Sequence, residues 1–277
     1  MIGIFITALG TFFCEVGIVI GKFQFRKKKE SIYSMGYLYL FWATIFFLLA
    51  ALIFPSTFVF SLESLPTFGA RLMLEIAQFH VLVLAITRAH RSSFGFLRTI
   101  TIPLMLIADI MLGYSIGTKH IIGMVIIFLT LLMLFLNHRI RKEGIGLVLF
   151  TSINAVFTIS LYKYNITHFN SVVAEQLIVH LVLLLYFTIL AKYIAKEHPF
   201  KLLRKRVFFL QSFLEGVGGV LLSFAYIFAP ASIIMAGKRA FAIFWTIVSG
   251  NKVFHEHHIV IKMIAFAMLA VGIILLI

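Results

Sequence analysis

Apolar residues run along the chain in ten blocks, over 2–21, 32–54, 67–87, 94–114, 120–137, 145–162, 171–193, 207–228, 230–250 and 259–277, and polar residues collect in the short gaps between them. A helix that crosses the hydrocarbon core of a bilayer needs about 20 apolar residues, and each block is close to that length. The pattern predicts ten transmembrane helices. The gaps leave no room for a soluble domain, so any chemistry sits within or beside the membrane. The block that starts at Met1 has no basic leader and no small-residue cleavage site, so it is expected to be a spanning helix and not a signal peptide.

The gaps alternate in charge. KFQFRKKKE, TRAHRSS, NHRIRKEG, KYIAKEHPFKLLRKR and NKVFHEHH follow the odd-numbered blocks and are basic. PSTFVFSLESLP, SIGTKH, KYNITHFN and the Ala229-Pro230 corner follow the even-numbered blocks and carry little Lys or Arg. Basic loops stay in the cytoplasm, which puts both termini outside.

The two halves of the chain also correspond. Gly3 and Gly144, Ile18 and Ile159, Lys22 and Lys163, Arg98 and Arg239, and Ile102 and Ile243 all stand 141 positions apart. That offset lays each of the first five blocks on one of the second five. Because five is odd, the second copy crosses the membrane in the opposite sense. The expected fold class is an all-α integral membrane protein with ten transmembrane helices arranged as two inverted five-helix repeats, residues 1–138 and 139–277. Inverted repeats support two near-equivalent states open to opposite sides, the geometry of a carrier.

Composition sharpens this picture. Hydrophobic residues make up 62% of the chain and charged residues 12%, against about 25% charged in soluble domains, and the mean hydropathy is +1.07. The formal net charge of +14 reflects the loops, so nucleic acid is not an expected partner. Cys14 is the single cysteine, which excludes an internal disulfide or a thiolate metal cluster. No phosphate-binding Gly-Lys-Ser/Thr loop occurs, and no cofactor is expected. The HEHH run at 255–258 lacks the second zinc-protease histidine, since Ile259 stands there, so it reads as a cytoplasmic turn. Asn165-Ile166-Thr167 forms a glycosylation sequon in a gap expected to face outside.

Charges inside apolar blocks are the candidate functional groups, because a carboxylate there costs several kcal/mol unless it is protonated, paired or hydrated. Glu15 lies within FFCEVGIVIGKF, with no other charge until Lys22. Glu75 and Glu215 fall within one residue of repeat equivalence, so they are expected to approach the central axis from opposite halves. For Glu75 a local ion pair with Arg71, four residues earlier, is the alternative; for Glu215 the alternative is helix packing at Gly216, Gly218 and Gly219. Lys238, Arg239 and Arg98 would neutralise these acids or hold a substrate carboxylate or phosphate. Asn154 and His80 are further candidates for lining a cavity. Trp42, Trp245, Tyr114 and Tyr226 fit interface anchors.

The stretch ASIIMAGKRAFAIFWTIVSGNKVFHEHHIVIKMIAFAMLAVGIILLI, residues 231–277, carries Lys238-Arg239, then Gly250, Phe254 and Glu256, then a last apolar helix with Gly272. It resembles the ninth and tenth helices of the drug/metabolite transporter superfamily, in its ten-helix EamA-like branch. A weaker copy with Arg98, Gly113 and Gly123 occupies residues 98–136. The stretch CEVGIVIGKF also resembles the first helix of the small multidrug resistance proteins, in which an embedded Glu binds protons and cationic drugs in turn. The residue equivalent to Glu15 in the second repeat is Val156. The resemblance implies a secondary transporter, not an enzyme, that exports a small organic metabolite or drug by alternating access, with proton exchange at Glu15. It also implies a place in the bacterial inner membrane, with the lipid bilayer, a small-molecule substrate and protons as partners and a monomer or homodimer as the assembly. Two alternatives stand beside it: a facilitative exchanger of polar metabolites without proton coupling, and a membrane enzyme or accessory protein.

Overall fold

The computed structural model describes residues 1–27, 29–89, 94, 97–136, 143–253 and 259–276. Its long elements are helices: α1 Ile2–Arg26, α2 Ile32–Ile53, α3 Leu65–Arg88, α4 Thr101–Met111, α5 Thr118–Leu136, α6 Ile145–His168, α7 Val172–Tyr193, α8 Arg206–Phe228, α9 Ala231–Val253 and α10 Ile259–Leu275. No strand occurs among the described residues. Six stretches there are long and apolar enough to cross a membrane, namely α1, α2, Pro55–Arg88, α6, α7 and α8. Large apolar side chains stay exposed around the outside, among them Phe5, Leu52, Met73, Phe157, Leu185 and Val271. Such a surface is consistent with an integral membrane protein.

Local chemistry explains where the elements begin. Ser31 and Ser171 cap α2 and α7, each accepting a bond from the amide three residues on, Ser34 and Ala174. The block expected as one helix over 94–114 departs from that expectation: Arg98–Ile100 is a 3₁₀ turn and α4 follows as an eleven-residue α-helix. Pro103 gives the reason. It has no amide to donate back to Thr99, and its ring crowds that carbonyl, so a continuous α-helix is disfavoured there. A second departure lies at KYNITH, expected as loop but placed inside α6. Asn165 is buried, with its side-chain oxygen accepting from the Thr67 hydroxyl at 2.7 Å, so the sequon is closed off inside the bundle.

The helices pack mainly between the two halves of the chain. α1 lies along α8, α2 fits between α7 and α8, and α3 packs on α6; α4 meets α9 and α6, α9 also touches α1, and α5 pairs with α10. One apolar core, with Met35, Leu38, Val83, Leu183 and Phe187, fills the end of the bundle that carries the basic loops. Another, with Phe47, Met105, Tyr162, Leu177 and Ile234, fills the opposite end. A third joins α4, α5, α9 and α10 through Ile102, Met124, Ile127 and Leu269.

The α1–α8 seam depends on small residues. Gly3, Gly10 and Gly17 recur every two turns, and all three are buried against α8 or the start of α9. A methyl group on Gly218 of α8 would stand 2.5 Å from Cys14 Sγ and 2.7 Å from the Gly10 carbonyl. Gly218→Ala should therefore destabilise the protein by about 1–3 kcal/mol through overpacking. Gly146→Ala in α6, which meets nothing within 4 Å, should stabilise it by up to about 1 kcal/mol. Denaturant melts in detergent give both values, and equal effects would remove the close-packed seam from the account.

Candidate functional site

The α1–α8 seam brings two acids together near mid-bundle. Glu15 lies near the middle of α1, and Glu215 of α8 fills the space that Gly17 leaves: a methyl group on Gly17 would stand 2.6 Å from Glu215 Cγ and 2.8 Å from Oε1. The Cys14 thiol adjoins the Glu215 carboxyl. Lys238 of α9 lies within electrostatic reach of Glu215 and Cys14. Arg98 and Arg239 lie within reach of each other and of Glu15, and Arg239 Nε donates to Thr101 Oγ1 at 3.3 Å. Glu75 of α3 is close enough to sense Lys238. Six candidate charges from five elements thus converge in one region.

That region is incompletely satisfied. Glu215 is 8% exposed, yet its Oε1 has no hydrogen-bond partner, and the same holds for Arg98 Nε and Arg239 Nη2. Buried polar atoms in folded proteins are almost always bonded to protein or water. An arrangement of two guanidinium groups near two carboxyl groups can hold a ligand that presents an anionic group at one end and a cationic group at the other.

A second charged cluster is more fully paired, with Arg71 Nε its one open guanidinium nitrogen. Arg71 of α3 is 1% exposed. It bonds Glu175 of α7 through one Nη, and through the other it donates to Gln176 at 3.1 Å. Glu175 accepts in turn from Asn170 at 2.8 Å, and Gln176 donates to Ser223 at 2.9 Å. The guanidinium lies 4.5 Å from the Tyr162 ring centre. Glu75 stands 3.7 Å from Arg71, a looser contact than that with Glu175. This clamp ties α3, α7 and α8 at the end of the bundle away from the basic loops.

The remaining candidates lie elsewhere. Asn154 donates to the Leu74 carbonyl and to Gln78, each at 3.0 Å, which pins α6 to α3. His80 bonds Tyr186 at 2.9 Å in a half-buried position between α3 and α7. Tyr226, expected at an interface, is buried and near Arg239, Asp109, Glu75 and Arg98, so it belongs with the charged centre. Glu256 and the HEHH run lie outside the described residues. Sequence reasoning passed over Glu175, Gln176 and Cys14. Glu175 reads as an ordinary acid in the first turn of a helix, and only the packing of α7 on α3 turns it inward.

No family model matches the chain, and no curated protein matches it. Among solved structures it is similar to one described only as "Crystal structure of protein", at 10% identity and a TM-score of 0.62, covering 96% of this chain and 95% of that one. At that identity the likeness concerns the fold alone.

Arg71→Met should destabilise the protein by about 3–5 kcal/mol, because it leaves Glu175 buried without its cation. Adding Glu175→Gln should recover most of that loss. A double variant no more stable than the single one would show that the clamp is not held by charge.

A further acid lies in the loop between α1 and α2. Glu30 is buried, and burial pushes its carboxyl up to about 8, against a weak bond from Gln211 and with help from the charge of Glu197. Below about pH 4.5 the acid is protonated whether the chain is folded or not. Between there and pH 8 the folded protein holds a proton that the unfolded chain has lost, so stability falls as pH rises. Glu30→Gln should melt progressively higher than the natural protein as pH climbs from 5 to 8, and a gap that stays constant would refute the raised value.

Proposed function

We propose that the chain is a secondary carrier that exports a small polar metabolite or drug by alternating access, with the charged centre as the site for substrate and proton. The observation that carries this reading is the convergence of Glu15, Glu215, Lys238, Arg98 and Arg239 in the interior, with orphaned polar atoms on three of them. The Arg71 clamp pairs both Nη atoms of its guanidinium and leaves only Nε open, whereas here open atoms fall on three charged residues from three elements around one centre, an arrangement that suits recognition of a polar ligand.

The second part of the reading is that residues 1–138 and 139–277 are inverted repeats, ten spans in all, of the drug/metabolite transporter kind. Side-chain contacts support it. Lys22 Nζ donates to the Ala89 carbonyl, just past α3, at 3.1 Å; its equivalent Lys163 donates to the Tyr226 carbonyl, near the end of α8, at 2.6 Å. A cation at a helix C-terminus is favoured by the exposed carbonyls and the helix dipole, and here the same device recurs at equivalent helices. Helix contacts follow the same exchange: α1 on α8 answers α3 on α6, and α1 on α9 answers α4 on α6. Glu75 with Glu215 and Arg98 with Arg239 then form two pairs of like charge about the axis. By loop charge both termini face outward across a bacterial inner membrane.

The test is transport by the full chain in liposomes loaded with a pH-sensitive dye and challenged with amino acids, nucleosides and organic cations. Proton flux driven by one compound class is expected, with Glu15→Gln and Glu215→Gln each lowering it at least about ten-fold. Substrate movement without proton flux would favour the facilitative reading, to which the paired Arg98 and Arg239 would be sufficient. Chemical change of the solute would point to an enzyme.

A further inference from the structure

Three polar side chains connect the basic end of the bundle to the charged centre. Glu30, 4% exposed, stands at the loop between α1 and α2. Gln211 of α8, fully buried, donates to Glu30 Oε1 at 3.5 Å. Tyr39 of α2 comes next: a methyl group on Gly21 would stand 2.7 Å from Gln211 Nε2 and 3.0 Å from the Tyr39 hydroxyl, so both polar groups occupy the space that this glycine leaves. Gln211 lies one helical turn from Glu215 on the same face of α8, and the Tyr39 hydroxyl is within electrostatic reach of Glu215, Cys14 and Glu15. Glu30 Oε2, Gln211 Oε1, Tyr39 OH and Glu215 Oε1 are all buried without a hydrogen-bond partner. Four orphaned atoms in sequence along one seam form a polar track through an apolar wall.

We infer that Glu30, Gln211 and Tyr39 are a proton path from the basic end of the protein to Glu215 and Glu15. This deepens the carrier reading and rests on it. Orphaned buried atoms of this kind are normally hydrated, and proton transfer through one intervening water is efficient when donor and acceptor are held in place. In the export cycle a central carboxylate gives up its proton to the track as substrate binds, Tyr39 accepts that proton while donating its own ahead, and Glu30 takes the proton leaving the track and releases one to solvent at the basic end. Exchange with solvent at equilibrium runs the same steps in both directions. Gln211 is the positioning residue, since its amide can donate and accept but does not ionise. Glu30 can serve as exit and entry near neutral pH because burial raises its carboxyl to about 8. The groups that act on it are Gln211 from α8, Tyr39 from α2 and Glu197 from the loop after α7; Lys27 and Lys29 are near it in sequence, and the Lys27 ammonium lies over the Phe23 ring. Glu197 is itself held by the Ser31 and Ser34 hydroxyls.

Cys14 makes the path measurable without a known substrate. It is the only cysteine, it adjoins Glu215, and its S–H infrared band is free of other protein absorption. The full chain in lipid bilayers is transferred into D₂O at pH 7 and loss of the S–H band is timed. Glu30→Gln and Gln211→Leu should each slow the exchange by on the order of a hundred-fold, the low end of what a positioned proton-transfer group contributes. Gln211→Glu, which keeps a polar group in the track, should restore it. A titration of the carboxyl bands should lose a component with its midpoint near 8 in the natural protein and not in Glu30→Gln. Exchange at one rate in all these chains, or a missing component, overturns the path. Since the exchange needs no transported compound, normal exchange without solute movement would sink the carrier reading and leave the path standing.

Discussion

Charge inside an apolar bundle has to be matched, and most of the architecture follows from how that matching is done. An ion moved from water into a low-dielectric interior incurs an effective penalty of several kcal/mol, which only a close partner and further hydrogen bonds offset. Two solutions coexist here. Around Arg71 both Nη atoms meet acceptors, Glu175 has a second donor in Asn170, and an aromatic ring lies beside the guanidinium. Around Glu215 the charges balance in sign, but polar atoms on Glu215, Arg98 and Arg239 have no protein partner. The first arrangement contributes rigidity. The second leaves valences open on three charged residues around one centre, which is the feature on which the proposed carrier reading rests.

Bringing these charges together depends on residues with no charge at all. Glu215 can sit against α1 only because position 17 is a glycine, and Gln211 and Tyr39 meet beside α1 only because position 21 is one. Apolar side chains offer little net drive for association in lipid, so close backbone approach through small residues is what holds such helices together. The charged centre and the helix packing therefore share one seam. A larger residue at Gly17 would displace the acid and separate the helices in the same act.

Much of this was legible in the sequence. The apolar blocks located the ten long helices among the described residues, six of them in stretches long and apolar enough to cross a membrane, because a bilayer demands uninterrupted runs and the basic gaps punctuate them. The charge candidates Glu15, Glu215, Lys238, Arg98 and Arg239 were legible because a charge inside such a run has no cheap explanation. What stayed hidden depends on distant partners. Nothing near Glu175 marks it as the principal partner of Arg71, a hundred residues away. Lys163 and Asn165 read as loop polarity because hydropathy cannot register a lysine whose ammonium is satisfied by a helix-terminal carbonyl. The break before α4 was written in Pro103, but its effect on a neighbouring turn is smaller than the apolar signal of the block around it.

The two ends of the proposed repeat are unequal, and the inequality bears on direction. Arg71 and Glu175, which lock the end away from the basic loops, correspond at the 141-residue offset to Ser212 and Ser34. Those serines make hydroxyl contacts instead, Ser212 to the Leu38 carbonyl and Ser34 to Glu197. Removing one partner of a buried ion pair costs several times what a neutral hydrogen bond contributes, so separating the helices at the Arg71 end is the harder movement. The basic end has the weaker contacts, together with the partly satisfied track from Glu30 to Tyr39. Under the carrier reading proposed above, the resting protein has its distal end locked and its basic end more readily hydrated. On that reading, with the basic loops in the cytoplasm, substrate would load from inside, and the step that has to be driven is the release of Glu175 from Arg71. A bound substrate or proton that redistributes charge among Glu75, Lys238 and Glu215 acts within reach of that pair, since Glu75 senses both Arg71 and Lys238.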